Sequence, residues 1–203
     1  MTSENMKIKF TILLLFVSIN YAFSQVNGTV KDGSYVCNRF DWKINIPKNY
    51  TLTKVQELET LEKKGNTELK KNLPHNVTIQ NIIHLIGFYL DSKNTFSASF
   101  TPFNSKEITF EQNEKRNLDL LKQSCSKINN AKFDFKTSNV KIGKYNFHKI
   151  KVAGYNASNN QLVITQIYYN SLIKDNLFGV LISYNRESEG SLLENNFLNS
   201  LKK

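Results

Sequence analysis

The stretch 40-FDWKINIPKNY-50 reads as the opening strand of a sheet with one dry face. Phe40, Trp42, Ile44 and Ile46 occupy alternate positions, and Asp41, Lys43 and Asn45 fill the gaps. Strand side chains point to opposite faces in turn, so the segment has an apolar face and a wet one. Pro47 cannot donate to a ladder and ends the strand, and Lys48-Asn49 suit a turn. The strand is expected from about Tyr35 to Ile46. Its two aromatics fit a core better than a ligand platform, because large rings mainly serve cores.

Upstream, Lys7 and Lys9 precede the apolar run "FTILLLFVSI", and Ala22 and Ser24 follow as small residues two apart. This is the pattern of a secretory leader, residues 1–24, cleaved near Ser24. The run is too short for a comfortable bilayer span, and no later segment is apolar enough to be one. Residues 25–203 then suit a single domain with a sizeable core. The expected location is periplasmic or extracellular.

The whole chain of 203 residues has a net charge of +10. A basic surface suits nucleic acid, anionic lipid or acidic glycans. Only Arg39, Arg116 and Arg186 are arginine, however, and two-point recognition of phosphate and guanine favours that side chain. No nucleic-acid partner is expected. Lys141, Lys149 and Lys151 lie at strand positions and form a candidate basic face. Cys37 and Cys125 are a candidate disulfide in an exported chain, with a buried thiol as the alternative.

Residues 54–72 are rich in Glu and Lys and suit a helix with Val55, Leu58 and Leu61 on one stripe. Gly65-Asn66 is expected to break it and Pro74 to end it. Two apolar runs flank Asp91–Asn94, which predicts a hairpin. Its first run, "IIHLIGFYL", is apolar enough to be central. Thr109 with Gln112 forms a capping box opening a helix. There Leu118, Leu121, Cys125 and Ile128 share a face expected on the sheet.

Strands then follow one another. "KFDFKTSNVKI" turns at Gly143-Lys144 into "YNFHKIKVAGY", whose apolar phase slips between Phe147 and His148 and predicts a bulge. "QLVITQIYY" returns after an open turn at Asn156–Asn160, and Asn170–Asn176 reads as another turn. "LFGVLISYN" is almost unbroken in its apolarity and is expected to be central, covered on both faces. Ser191 with Glu194 reads as a second capping box, and Leu193, Phe197 and Leu201 set a terminal helix on the sheet.

The aromatic strand ending in proline, the hairpin followed by a capped helix, the run of antiparallel strands and the final "NNFLNSLKK" together resemble the PsbP/Mog superfamily. The likeness spans about Tyr35 to Leu201. It implies an α+β fold, an antiparallel sheet flanked by helices as an α/β/α sandwich. It also implies a scaffold for binding proteins or ions, and it offers no shared catalytic residues to carry over.

Chemistry-bearing residues are sparse. His75, His84 and His148 stand apart, with no metal-ligand spacing. His84 and His148 lie within strands and are read as satisfied histidines. Cys125 with His148 is formally a nucleophile and base, but helical spacing already explains Cys125 as core. No G-x-S-x-G elbow or phosphate-cradling glycine loop exists. Glu57, Glu59 and Glu62, then Glu107, Glu111 and Glu114, read as solvated helix faces beside lysines. Of Tyr168 and Tyr169, one is expected in the core and the other on the exposed surface. No catalytic residue, metal site or cofactor is expected. The chain is read as an exported, monomeric, non-enzymatic binding or assembly module whose partner is another protein or an envelope component. The alternatives are an envelope hydrolase, needing His84, His148 or Cys125 to meet a carboxylate in a cleft, and a salt-sensitive binder of acidic glycans or lipid headgroups, needing one contiguous lysine face.

Overall fold

The structure is a computed structural model that describes residues 28–70 and 82–201. The expected leader with its cleavage point near Ser24, and also Pro74 and His75, lie outside the described residues.

A small antiparallel sheet comes first: β1 (Thr29–Lys31), β2 (Ser34–Cys37) and β3 (Trp42–Asn45). The single strand expected over Tyr35–Ile46 is therefore a hairpin. Asn38–Phe40 wind into a 3-10 turn, and Asp41 takes φ +50°, a left-handed conformation that a short polar side chain tolerates better than most. Cys37 then pairs with Trp42, and Tyr35 with Ile44. The alternation survives on each arm, since Tyr35, Cys37, Trp42 and Ile44 are all buried.

The main sheet has seven antiparallel strands in the order β4-β5-β6-β10-β9-β8-β7. These are β4 (Thr51–Leu52), β5 (Ile83–Tyr89), β6 (Thr95–Pro102), β7 (Ala131–Ile142), β8 (Tyr145–Asn156), β9 (Leu162–Ile173) and β10 (Asn176–Tyr184). The Asp91–Asn94 hairpin forms, and β10 is the middle strand, as its apolarity predicted. β5 is not central but second from the edge. Its apolar excess arises at a bulge between His84 and Ile86, where Leu85 and Ile86 are both buried.

The front of this sheet carries the core. Helix α3 (Glu187–Ser200) sets Leu193 and Phe197 against it, and Leu201 follows. The ring of Phe197 lies 5.6 Å from Phe147 and 5.0 Å from Tyr169. Beside α3 the small sheet inserts Phe40, edge-on to Phe100 and Phe178, and Trp42, edge-on to Phe178. The Trp42 indole N–H donates to Ser200 Oγ at 2.7 Å, which joins the two covers. α3 begins a turn before the expected cap at Ser191. Gly190, inside it, rests directly on the Tyr184 ring, where a Cβ would come within 2.6 Å.

The back is covered by α1 (Val55–Lys70) and α2 (Phe110–Cys125). α1 runs unbroken through Gly65-Asn66. An interior glycine costs about 1 kcal/mol relative to alanine, which the Glu, Lys and Leu around it offset. The α2 capping box is present in full, Thr109 Oγ1 accepting from the Gln112 N–H and Gln112 Oε1 from the Thr109 N–H. Helices on the back, and a helix with a small sheet on the front, give the expected α+β sandwich.

Candidate functional site

The pairing of the main sheet aligns one transverse row on its back. Asn139 of β7, His148 of β8, Asn170 of β9, Gly179 of β10, Ser99 of β6 and His84 of β5 stand side by side. Two readings from sequence had hidden this row. The bulge expected at Phe147–His148 is absent: β7 and β8 pair without a shift, and the β8–β9 irregularity falls at Gly154/Tyr155. The phase slip has another cause. β8 is buried on both faces, Phe147 on the front and Ile150 and Val152 on the back. Asn170 is likewise no turn residue. The β9–β10 turn is only Lys174-Asp175, both at positive φ, the two-residue hairpin geometry that matches strand twist.

Each helix sends one carboxyl down to this row. Glu114 is the one fully buried residue of α2. Its Oε2 accepts from Asn170 Nδ2 at 2.8 Å and lies 3.0 Å from His148 Nδ1. Its Oε1 receives longer bonds, 3.3 Å, from the amides of Asn113 and Asn117. Leu118 and Leu121 are only half-buried and Ile128 is exposed, so a carboxyl fastens α2 to the sheet where a leucine stripe was expected. On α1, Glu62 Oε2 lies 2.9 Å from His84 Nε2, with both side chains mostly buried. Glu62 and Glu114 are thus not solvated acids. The amphipathic pattern that hid them is real for their neighbours Glu57, Glu59, Glu107 and Glu111, which are exposed.

His84 and His148 do not converge. They are four strand spacings apart, about 19 Å at about 4.8 Å per spacing, too far to share an ion. Among the described residues no group of three or more His, Cys, Asp or Glu could hold a metal.

Two cavities flank the row. One, of about 730 Å³, lies between the start of α2 and β7–β9, with Glu114, Lys115, Asn139, Lys144 and His148 in its lining. Among the described residues the Nε2 of His148 has no hydrogen-bond partner there. The other, of about 870 Å³, lies under α1, with Leu58, His84, Tyr168, Gly179 and Leu181 among its lining residues. Tyr169 is in the core as one of the tyrosine pair had to be, but Tyr168 is not surface. It lines the larger cavity, donates to Gln166 Oε1 at 3.1 Å, and burial pushes its phenol up to about 12.

The other sequence candidates scatter. Cys37 and Cys125 are both free thiols, so no disulfide forms. Cys37 is buried in the front core, whereas Cys125 ends α2 on the back. Burial pushes the Cys125 thiol up, away from the thiolate a nucleophile needs. The basic face does not form either. Lys149 and Lys151 lie on the front and Lys141 on the back, by the register that sets Phe147 against Val140. Lys149 Nζ is 2.5 Å from Glu194 Oε1, which also accepts from the Tyr169 hydroxyl. Lys151 sits over the Tyr184 ring. Burial acts to lower its pKa, but Tyr184, Glu187 and Glu194 outweigh this and raise it. The contiguous lysine surface that a glycan or headgroup binder requires is absent among these residues.

No family model matches the chain, and no curated protein matches it. Among solved structures, the cyanobacterial PsbP (CyanoP) from Synechocystis sp. PCC 6803 is similar, with a TM-score of 0.52 and 8% identity over 83% of this chain and 92% of that one. At that identity the likeness shows the fold alone, and the fold is PsbP-like, as the order of strands and helices had led one to expect. No helix among the described residues is long and apolar enough to cross a membrane.

Proposed function

We propose that the protein is an exported, monomeric, non-enzymatic binding module, and that its ligand site is the larger cavity on the back of the sheet. The observation that carries this is the cavity itself, about 870 Å³ and within the range of small-molecule sites, whose lining sets Leu58, Ile82, Tyr168 and Leu181 beside the polar Ser97, Ser99, His84 and Asn170. Gly179 keeps its floor open. A Cβ there would meet only Asn170 Oδ1 at 3.3 Å and Ser99 Oγ at 3.9 Å. Export is supported by Lys7, Lys9, the apolar run after them and the small residues to Ser24.

The test uses the chain beyond Ser24 and the neutral apolar dye Nile red. The wild type should bind it saturably at one site. Gly179→Leu, whose side chain would fill the floor, should weaken binding at least about tenfold with an unchanged near-ultraviolet circular dichroism spectrum. No saturable binding, or equal binding by the variant, would refute the proposal.

The hydrolase reading has one observation in its favour. An imidazole oriented by a buried carboxyl, as His148 is by Glu114, is half of what activation of water or a hydroxyl needs. Ester or amide turnover that disappears in a folded His148→Gln variant would establish it over the binding reading.

A further inference from the structure

We infer that the smaller back-face cavity, about 730 Å³ between the start of α2 and β7–β9, is a second ligand site, and that it takes a small neutral phenol whose hydroxyl donates to His148 Nε2. This goes beyond the binding reading above, which rests on the other cavity. The partners of Glu114 decide which ring nitrogen is the acceptor. Its Oε1 receives the amides of Asn113 and Asn117 and its Oε2 that of Asn170, so both oxygens act as acceptors. The nitrogen facing Oε2, His148 Nδ1 at 3.0 Å, is then the one that donates, and the neutral ring presents a lone pair at Nε2. Glu114 is 4% exposed and the imidazole 20%. The open edge of the ring is therefore the one away from Glu114, and His148 lines this cavity.

This acceptor is fixed before any ligand arrives. Glu114 holds the ring and three asparagines hold Glu114, so little freedom is left to lose on binding. An acceptor aimed into a cavity selects a donor, and a phenol hydroxyl donates more strongly than an aliphatic one. The wall sets the rest of the molecule. Phe110, Leu118 and Tyr145 in the lining are half-buried, and Leu172 is 38% exposed. These side chains still have apolar surface to cover, and the two rings among them favour an aromatic body edge-on or offset. Lys115, Lys144 and Glu111, the other charged chains of the lining, are all exposed. Water weakens their fields, and a neutral ligand needs no partner among them.

The test is titration of the chain beyond Ser24 with para-cresol and its methyl ether, para-methylanisole, followed by calorimetry and by the nitrogen NMR signals of the His148 ring. The two probes share a body, but the ether has no hydrogen to donate. Cresol should bind at least about tenfold tighter, equivalent to about 1.4 kcal/mol, and should move the Nε2 signal of His148 while the ether leaves it in place. His148→Leu should bring cresol down to the affinity of the ether. Leu172→Ser, at an exposed position of the wall, should weaken both probes alike. Equal affinity for the two probes, a cresol preference that survives His148→Leu, or no saturable heat from either would overturn the inference. So would an Nε2 signal that cresol does not move, a reading that needs no variant to fold. Each of these results leaves the larger cavity standing, which Nile red tests separately.

Discussion

Glu114→Ala is the most informative single change, because Glu114 is where α2 is fastened to the sheet. The side chain is 4% exposed and holds two short bonds, from Asn170 Nδ2 at 2.8 Å and with His148 Nδ1 at 3.0 Å, and two long ones. A buried donor left without an acceptor costs about 1–3 kcal/mol. Asn170 is mostly buried and carries that cost. His148, 20% exposed, can reach water and carries less. The sum is about 2–4 kcal/mol, and for a domain of this size about 5–15 °C in Tm. Glu114→Gln should cost less, about 1–2 kcal/mol. Its oxygen can face His148 and Asn170, and the Asn113 and Asn117 amides can turn their oxygens toward its NH2 group. Leu118→Ala, at a half-buried site, should fall below Glu114→Ala. Urea denaturation of the three variants gives the order directly, and hydrogen exchange of the α2 amides shows whether the helix loosens first. A Glu114→Ala cost under about 1 kcal/mol, or one no greater than that of Leu118→Ala, would refute the claim that a carboxyl anchors this helix.

Gly190→Ala should destabilise by about 1–3 kcal/mol through overpacking, although alanine is the better helix former, because its Cβ would enter the Tyr184 ring; a stabilised variant in thermal melts would contradict this close contact. Stability should fall as pH rises from about 10 to about 12. Burial raises the Tyr168 phenol from its ordinary value to about 12, and moves those of Tyr35, Tyr50 and Tyr169 up as well. The contribution is therefore full below the unfolded value and lost through the folded one. Spectrophotometric tyrosine titration with parallel melts checks it, and flat stability across that window would count against it. Reductant should leave the Tm unchanged, and a thiol reagent should reach Cys125 in the native protein but Cys37, 1% exposed, only on unfolding. A Tm that drops under reductant would show that a bridge exists after all.

The order of elements was legible in the sequence because its signals are local. The Thr109–Gln112 box, the Asp91–Asn94 turn, the apolar run of β10 and the stripe of Leu193, Phe197 and Leu201 each act within one or two turns of chain. Each sits in the structure where its chemistry placed it. The first strand was misread because nothing in "NRFD" distinguishes a 3-10 turn from extended chain until Cys37 and Trp42 have each other to pair with. Asn170 passed for the start of a turn because Asn is a turn residue, and only pairing with β8 and β10 shows the strand running on to Ile173.

By itself, then, the sequence determined a PsbP-like α+β layering and the middle strand. The candidate site was a matter for tertiary structure alone. His148 lies 34 positions from Glu114, and Asn170 lies 56; no periodicity spans such distances. Whether a helical Glu meets water or a histidine depends on which face of α1 or α2 the sheet receives, and that is fixed by strand order and register, which bring distant segments into one row.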